Sequence, residues 1–125
     1  MKHSEMLNLM KSIHEKIVGT HTQGQKEYAR DEDNVFANFE RIANDMNMKK
    51  ELVLWIYLYK HIDGIKAHIN GHTSQRENVK GRITDAIVYL NILWAMIEER
   101  ESELMEKHYP GKSKYYYRRN NGESK

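Results

Sequence analysis

The chain has no cysteine and one proline, Pro110, and no apolar run that approaches membrane-spanning length. Without cysteine there is no disulfide framework, no zinc–thiolate centre, no thiol nucleophile and no base-deaminase zinc site. Cysteine-free chains fit a reducing compartment, so a cytoplasmic location is expected. A bilayer span needs about 20 consecutive apolar residues. The opening stretch MKHSEMLNLMKSIHEK is broken by charges and has no continuous apolar core, so it does not read as a signal peptide. There is also no GxxxxGK[ST] phosphate loop, GxGxxG fingerprint, HExxH pair or GxSxG elbow.

What is present describes a helical globule. The 125 residues fit one domain, and 39% hydrophobic against 30% charged residues is a folding balance. The net charge of +2 makes no case for nucleic acid, but its distribution is uneven. Residues 109–125 carry five Lys/Arg against one Glu, whereas residues 1–108 carry fifteen against seventeen acids. The division expected is an all-helical domain over 1–110 and a flexible, disordered basic tail over 111–125.

Apolar residues recur at three- and four-residue steps in four stretches. Met6, Leu9, Met10, Ile13 and Ile17 mark a first helix, with Gly19 expected to stop it. The polar stretch 19–34 then reads as a long loop. Val35, Phe36, Phe39, Ile42, Ala43 and Met46 mark a second helix, with Asn34 as a candidate N-cap and a break at Asn47–Lys49. The third helix is apolar on two faces, Leu52/Val53/Ile56/Tyr59 and Leu54/Leu58/Ile62/Ile65/Ile69. A helix of that kind is expected to be central and packed on both sides. After a polar loop at 71–78, Ile83, Ile87, Leu90, Trp94 and Ile97 mark the expected inner face of a last long helix, ended by Pro110-Gly111. The expected fold is all-α: a single four-helix bundle-like domain with a long helical hairpin.

Hairpin geometry brings polar residues to one level. Asp63 and Asp85 each lie roughly 10 Å along their helices from the connecting loop, at 1.5 Å per residue. Lys60, His61, Arg82 and Tyr89 fall within a turn of them. Two carboxylates and an imidazole are a set that can hold Mg²⁺, and Lys60 and Arg82 can take phosphate oxygens. The same spacings fit ordinary i,i+3 ion pairs, Lys60 with Asp63 and Arg82 with Asp85. Of the loop acids, Asp31 is the candidate third metal ligand beside Asp63 and Asp85, or else part of an acidic cluster at a helix start. Tyr28 and Tyr89, with Trp55, Tyr57 and Tyr59, can stack on a base, although aromatics at helical spacing also build cores.

The segments EYARDEDNVFANFERIANDMNM, LWIYLYKHIDGIKAHI and KGRITDAIVYLNILWAMIEE resemble the small phage-encoded helical proteins of the nucleotide modification associated domain family. The matching residues are Tyr28, Asn38, Phe39, Arg41, Trp55, Lys60, His61, Asp63, Arg82, Asp85, Tyr89 and Leu90, within roughly residues 13–99. The resemblance implies a nucleotide-binding protein of phage nucleotide metabolism, working in the host cytoplasm. It extends more distantly to the MazG-type all-α NTP pyrophosphatases, which hold Mg²⁺ on an ExxE pair and an ExxD pair. Here the hairpin offers only His61–Asp63 and Asp85, with Arg82 where a carboxylate would stand. The expected activity, if there is one, is metal-assisted phosphate-ester hydrolysis. Asp63, Asp85 and His61 would be catalytic, and Lys60, Arg82, Tyr89 and Tyr28 would hold the ligand. The alternatives are a non-catalytic protein that sequesters a nucleotide signal and one that binds and inhibits a host protein. A homo-oligomer, most simply a dimer, is also expected, with Trp55, Leu58 and Trp94 as its contacts. By the same resemblance, Asp31–Asp33 of one chain would approach the hairpin of the other.

Overall fold

A computed structural model describes residues 1–73, 76–113 and 119 of the chain. It is all-α, with four helices and no strand among the described residues. Helix α1 runs His3–Gly24 and passes into a π-helical segment, Gln25–Ala29. Helices α2 (Ala37–Met46), α3 (Lys50–Ile69) and α4 (Val79–His108) follow. The chain forms two compact units, Met1–Leu93 and Trp94–Lys125, with the boundary inside α4. The basic tail expected over 111–125 lies outside the described residues except for 111–113 and 119. No helix among the described residues is long and apolar enough to cross a membrane.

Local chemistry explains the boundaries. At the start of α1, the Lys2 backbone N–H donates to Glu5 Oε2 at 2.6 Å, so one of the helix's orphan donors is satisfied. Asn34 does not cap α2 directly. Its Oδ1 accepts from the Phe36 N–H at 3.0 Å and its Nδ2 donates to Glu40 Oε1 at 2.6 Å, so it braces the turn just before the helix. Asn47 ends α2 in the left-handed region at φ 52°, and the Met48 N–H closes back on the Ala43 carbonyl at 2.9 Å. That is why the break expected at Asn47–Lys49 occurs without a glycine. Asn78 Oδ1 accepts from the Gly81 N–H at 2.7 Å and opens α4.

Several sequence expectations are corrected. Gly19 does not stop α1, which continues for five more residues before the π-helical segment, so most of the expected loop is helical. A single glycine inside a helix costs only about 1 kcal/mol, which the neighbouring turns absorb. In α1 only Ile17 is buried, and Met6, Leu9 and Met10 are exposed. The core of the first unit comprises Ile17, Ala29, Phe36, Ala37, Phe39, Ala43, Val53, Leu54, Leu58, Ala86 and Val88. In α3 neither expected face is buried whole: Val53, Leu54 and Leu58 go in, and Leu52, Ile56, Tyr59 and Ile62 stay out. Leu58 is 1% exposed and is therefore core, so it is not available as a contact between chains. In α4 the expected inner row is turned outward, with Ile83, Leu90, Trp94 and Ile97 exposed while Ala86, Val88 and Met96 are buried. Ala86 and Val88, two residues apart, lie on opposite sides of α4, so more than one side of the helix is covered, and periodicity alone does not say which.

Candidate functional site

Three cross-helix contacts fix the register of α3 against the first half of α4. Tyr57 stacks on Tyr89, with ring centroids 6.2 Å apart and planes 14° apart. His61 Nε2 lies 3.8 Å from Asp85 Oδ2. Arg82 lies over Gly64, where a Cβ would stand 2.6 Å from its guanidinium. Each step of three or four residues up α3 is matched by an equal step down α4. The two helices are therefore antiparallel, and His61, Arg82, Asp85 and Tyr89, four of the polar residues picked out by hairpin arithmetic, fall along one seam.

His61 is the centre of this seam. It is 8% exposed, the one buried polar or charged residue among those described. Its ring lies against Tyr89, with centroids 5.7 Å apart, and Phe39 meets both Tyr57 and Tyr89 edge-on. Each imidazole nitrogen faces an acid: Nε2 faces Asp85, and Nδ1 lies 3.9 Å from Glu77 Oε1. Nδ1 is buried with no hydrogen-bond partner among the described residues. The other oxygen of Glu77, Oε2, is 3.8 Å from Arg82 Nη1. Burial raises the proton affinity of the Asp85 carboxyl, His61 opposes that shift, and the hydrogen bond that protonated Asp85 donates to the Glu77 carboxylate reinforces it. Burial also pushes the Tyr89 phenol up to about 12, with Asp85 adding to the effect.

A cleft of about 890 Å³ opens over the seam. Its walls bring Tyr28 of the π-helical segment and Asn38 and Arg41 of α2 to Tyr57, Lys60 and His61 of α3 and to Asp85 and Tyr89 of α4. Arg30 stands at its rim in the left-handed conformation, φ 56°. Arg41 is structural as well as positive: its guanidinium donates to the Tyr28 carbonyl at 2.5 Å and to the Ala29 carbonyl at 3.0 Å. It thereby fixes the end of the π-helical segment that carries Tyr28. Gln25 Nε2 donates to the Asp31 carbonyl at 2.5 Å and holds the following turn.

The residues expected from sequence are distributed as follows. Tyr28, Lys60, His61, Asp85 and Tyr89 share the cleft. Asp63 does not join them. It is exposed and lines a second cleft with Lys60, Gly64, Glu77 and Arg82. Asp31 lies in a shallow hollow with Gln25, Lys26, Arg30 and Glu32, where its Oδ1 accepts from the Asp33 N–H at 2.9 Å. The metal set Asp63, Asp85 and Asp31 is thus not brought within ligating distance. Among the described residues the group that is brought together is His61, Glu77 and Asp85, whose ligand atoms lie within 4.8 Å of one another. Asp63 misses it because two residues along a helix from His61 is a turn of about 200°, so the two side chains leave opposite sides. Sequence reading missed Glu77, a single acid in a polar loop with no periodicity to mark it. It also gave Arg41 no structural role, because that role depends on carbonyls twelve and thirteen residues away. No family model, curated protein or solved structure matches this chain.

Proposed function

We propose that this chain binds a nucleotide or a closely related aromatic phosphate in the cleft between α2, α3, α4 and the π-helical segment. The observation that carries the reading is the pairing of stackable rings with cations in one concave site. Tyr28 and Tyr57 are 59% and 39% exposed, and Lys60, Arg30 and Arg41 line the same walls. A base can lie on a tyrosine face, and each such stack is worth about 1–3 kcal/mol. Phosphate oxygens are held by ammonium and guanidinium donors. The motif resemblance to phage nucleotide-associated proteins runs through Tyr28, Lys60, His61, Asp85 and Tyr89 of this cleft and supports the same ligand class.

The test is to purify the full chain, denature it and identify released small molecules by mass spectrometry, then titrate nucleoside mono-, di- and triphosphates by calorimetry. A nucleotide should co-purify or bind, and Tyr57→Ala and Lys60→Ala should each weaken binding about tenfold. Absence of binding by every nucleotide tried, or full affinity in Tyr57→Ala, overturns the reading.

A second proposal, that the chain self-associates, is favoured by α3. Leu52, Trp55, Ile56, Tyr59 and Ile62 form one row along its outer side, each between 43% and 58% exposed. Soluble monomers seldom leave such a continuous apolar strip in water. Trp55, at 51% exposed, is the residue best placed to anchor a second copy.

A further inference from the structure

We infer that His61, Glu77 and Asp85 form a binding site for a single divalent transition-metal ion, of the zinc or manganese class. Three observations support the site. The first is convergence: one nitrogen and two carboxylate oxygens, from α3, the α3–α4 loop and α4, approach within 4.8 Å of one another. Ligands about 2.1 Å from a tetrahedral ion stand roughly 3.4 Å apart, so small side-chain rotations close the set onto an ion.

The second observation is independent of the acids. His61 is more than nine-tenths buried, and its Nδ1, which faces Glu77 Oε1 at 3.9 Å, has no hydrogen-bond partner among the described residues. Leaving a buried ring nitrogen unsatisfied costs about 1–3 kcal/mol, and a metal bond or a bridging ligand removes that cost. The third is support around the ligands. Arg82 Nη1 lies 3.8 Å from Glu77 Oε2 and so leaves Oε1 turned to the imidazole. Tyr89 packs against the His61 ring and limits its rotation. Outer partners of this kind orient metal ligands.

The donor set selects the class of ion. Mg²⁺ prefers oxygen ligands in near-octahedral geometry, whereas an imidazole with two carboxylates suits zinc, manganese or iron(II). Three protein ligands leave the remaining coordination positions for water or for an oxygen of a bound molecule. The site does not depend on the nucleotide reading, because it is tested with metal alone.

The experiment is equilibrium dialysis of the full-length, chelator-stripped protein against Zn²⁺, Mn²⁺ and Mg²⁺ in separate arms, with bound metal measured by mass spectrometry. Parallel melting curves and a Co²⁺ absorption spectrum complete the set. The wild type should take up one equivalent of Zn²⁺ or Mn²⁺, melt higher with the ion, and give a Co²⁺ spectrum with nitrogen ligation. Glu77→Gln and Asp85→Asn should each lower affinity about tenfold or more while still folding. Glu77 lies in a loop, so its variant keeps the test open if changes on the helices unfold the chain. Uptake of neither Zn²⁺ nor Mn²⁺ overturns the inference. So does preference for Mg²⁺, or binding unchanged in Glu77→Gln, which would put the ion on surface histidines.

Discussion

Asp85 lies where burial and a second carboxyl group work against its ionisation, and His61 only partly relieves this. The sign of the consequence follows from proton linkage. A carboxyl whose folded-state affinity for protons is raised binds more protons folded than unfolded. Its contribution to stability is complete below the unfolded value, 3.8, and is lost as pH rises through the folded value. In metal-free protein, Asp85→Asn should therefore raise the melting temperature at pH 7, with the gain shrinking to nothing as the pH falls below the ordinary carboxylate range. A variant that is less stable than the parent at pH 7 would show that Asp85 is held by attractive contacts that outweigh its burial. Tyr89 offers a second readout, because its phenol should titrate near 12, detached from exposed tyrosines, in an ultraviolet absorbance titration.

At the scale of elements, the α3–α4 seam depends on a glycine and an arginine that fit each other. A Cβ on Gly64 would stand 2.6 Å from Arg82 Cδ and 2.7 Å from its Cζ. Alanine is favoured over glycine in a helix interior by about 1 kcal/mol. In an Arg82→Ala background, Gly64→Ala should therefore be stabilising by about 1 kcal/mol. In the parent the gain should vanish or reverse, because the guanidinium must move away from Glu77. Denaturant melts of the four proteins in the cycle measure the coupling. The α2 anchor is testable in the same way. Arg41→Ala removes two charge-assisted hydrogen bonds to the Tyr28 and Ala29 carbonyls and should cost about 1–3 kcal/mol. Faster hydrogen exchange should follow in residues 25–30, with α4 unaffected.

At the scale of the whole molecule, the exposed row on α3 makes the proposed self-association a measurable property. Light scattering at micromolar concentration should give twice 14.9 kDa, and Trp55→Glu should return the chain to 14.9 kDa without loss of helicity. A parent that scatters as a monomer at the same concentration removes that proposal and leaves the cleft and the His61 group untouched.

The number and order of helices were legible in the sequence because local signals are enough for them. Apolar steps of three and four residues marked all four helices, and the break at Asn47–Lys49, the polar loop at 71–78 and Pro110-Gly111 marked the limits of α2 and α4. That His61, Arg82 and Asp85 lie within about a turn of one another along the hairpin also followed from counting, since helical rise is fixed at 1.5 Å per residue. Which side of each helix faces inward did not follow. α3 and α4 are apolar on more than one stripe, and only the position of their neighbours sends Leu58 in and leaves Trp94 out. The same limit governed the site. Asp63 is only two residues from His61, which faces Asp85, but nearness along the axis does not fix direction around it, and Glu77 comes to His61 from a loop whose path no periodicity encodes. Sequence by itself determined the number and order of the helices and the approximate register of α3 against α4, but not the end of α1 or the π-helical segment that follows it. Tertiary structure decided which acids accompany the buried histidine, because that depends on rotation about helix axes and on the return of one loop.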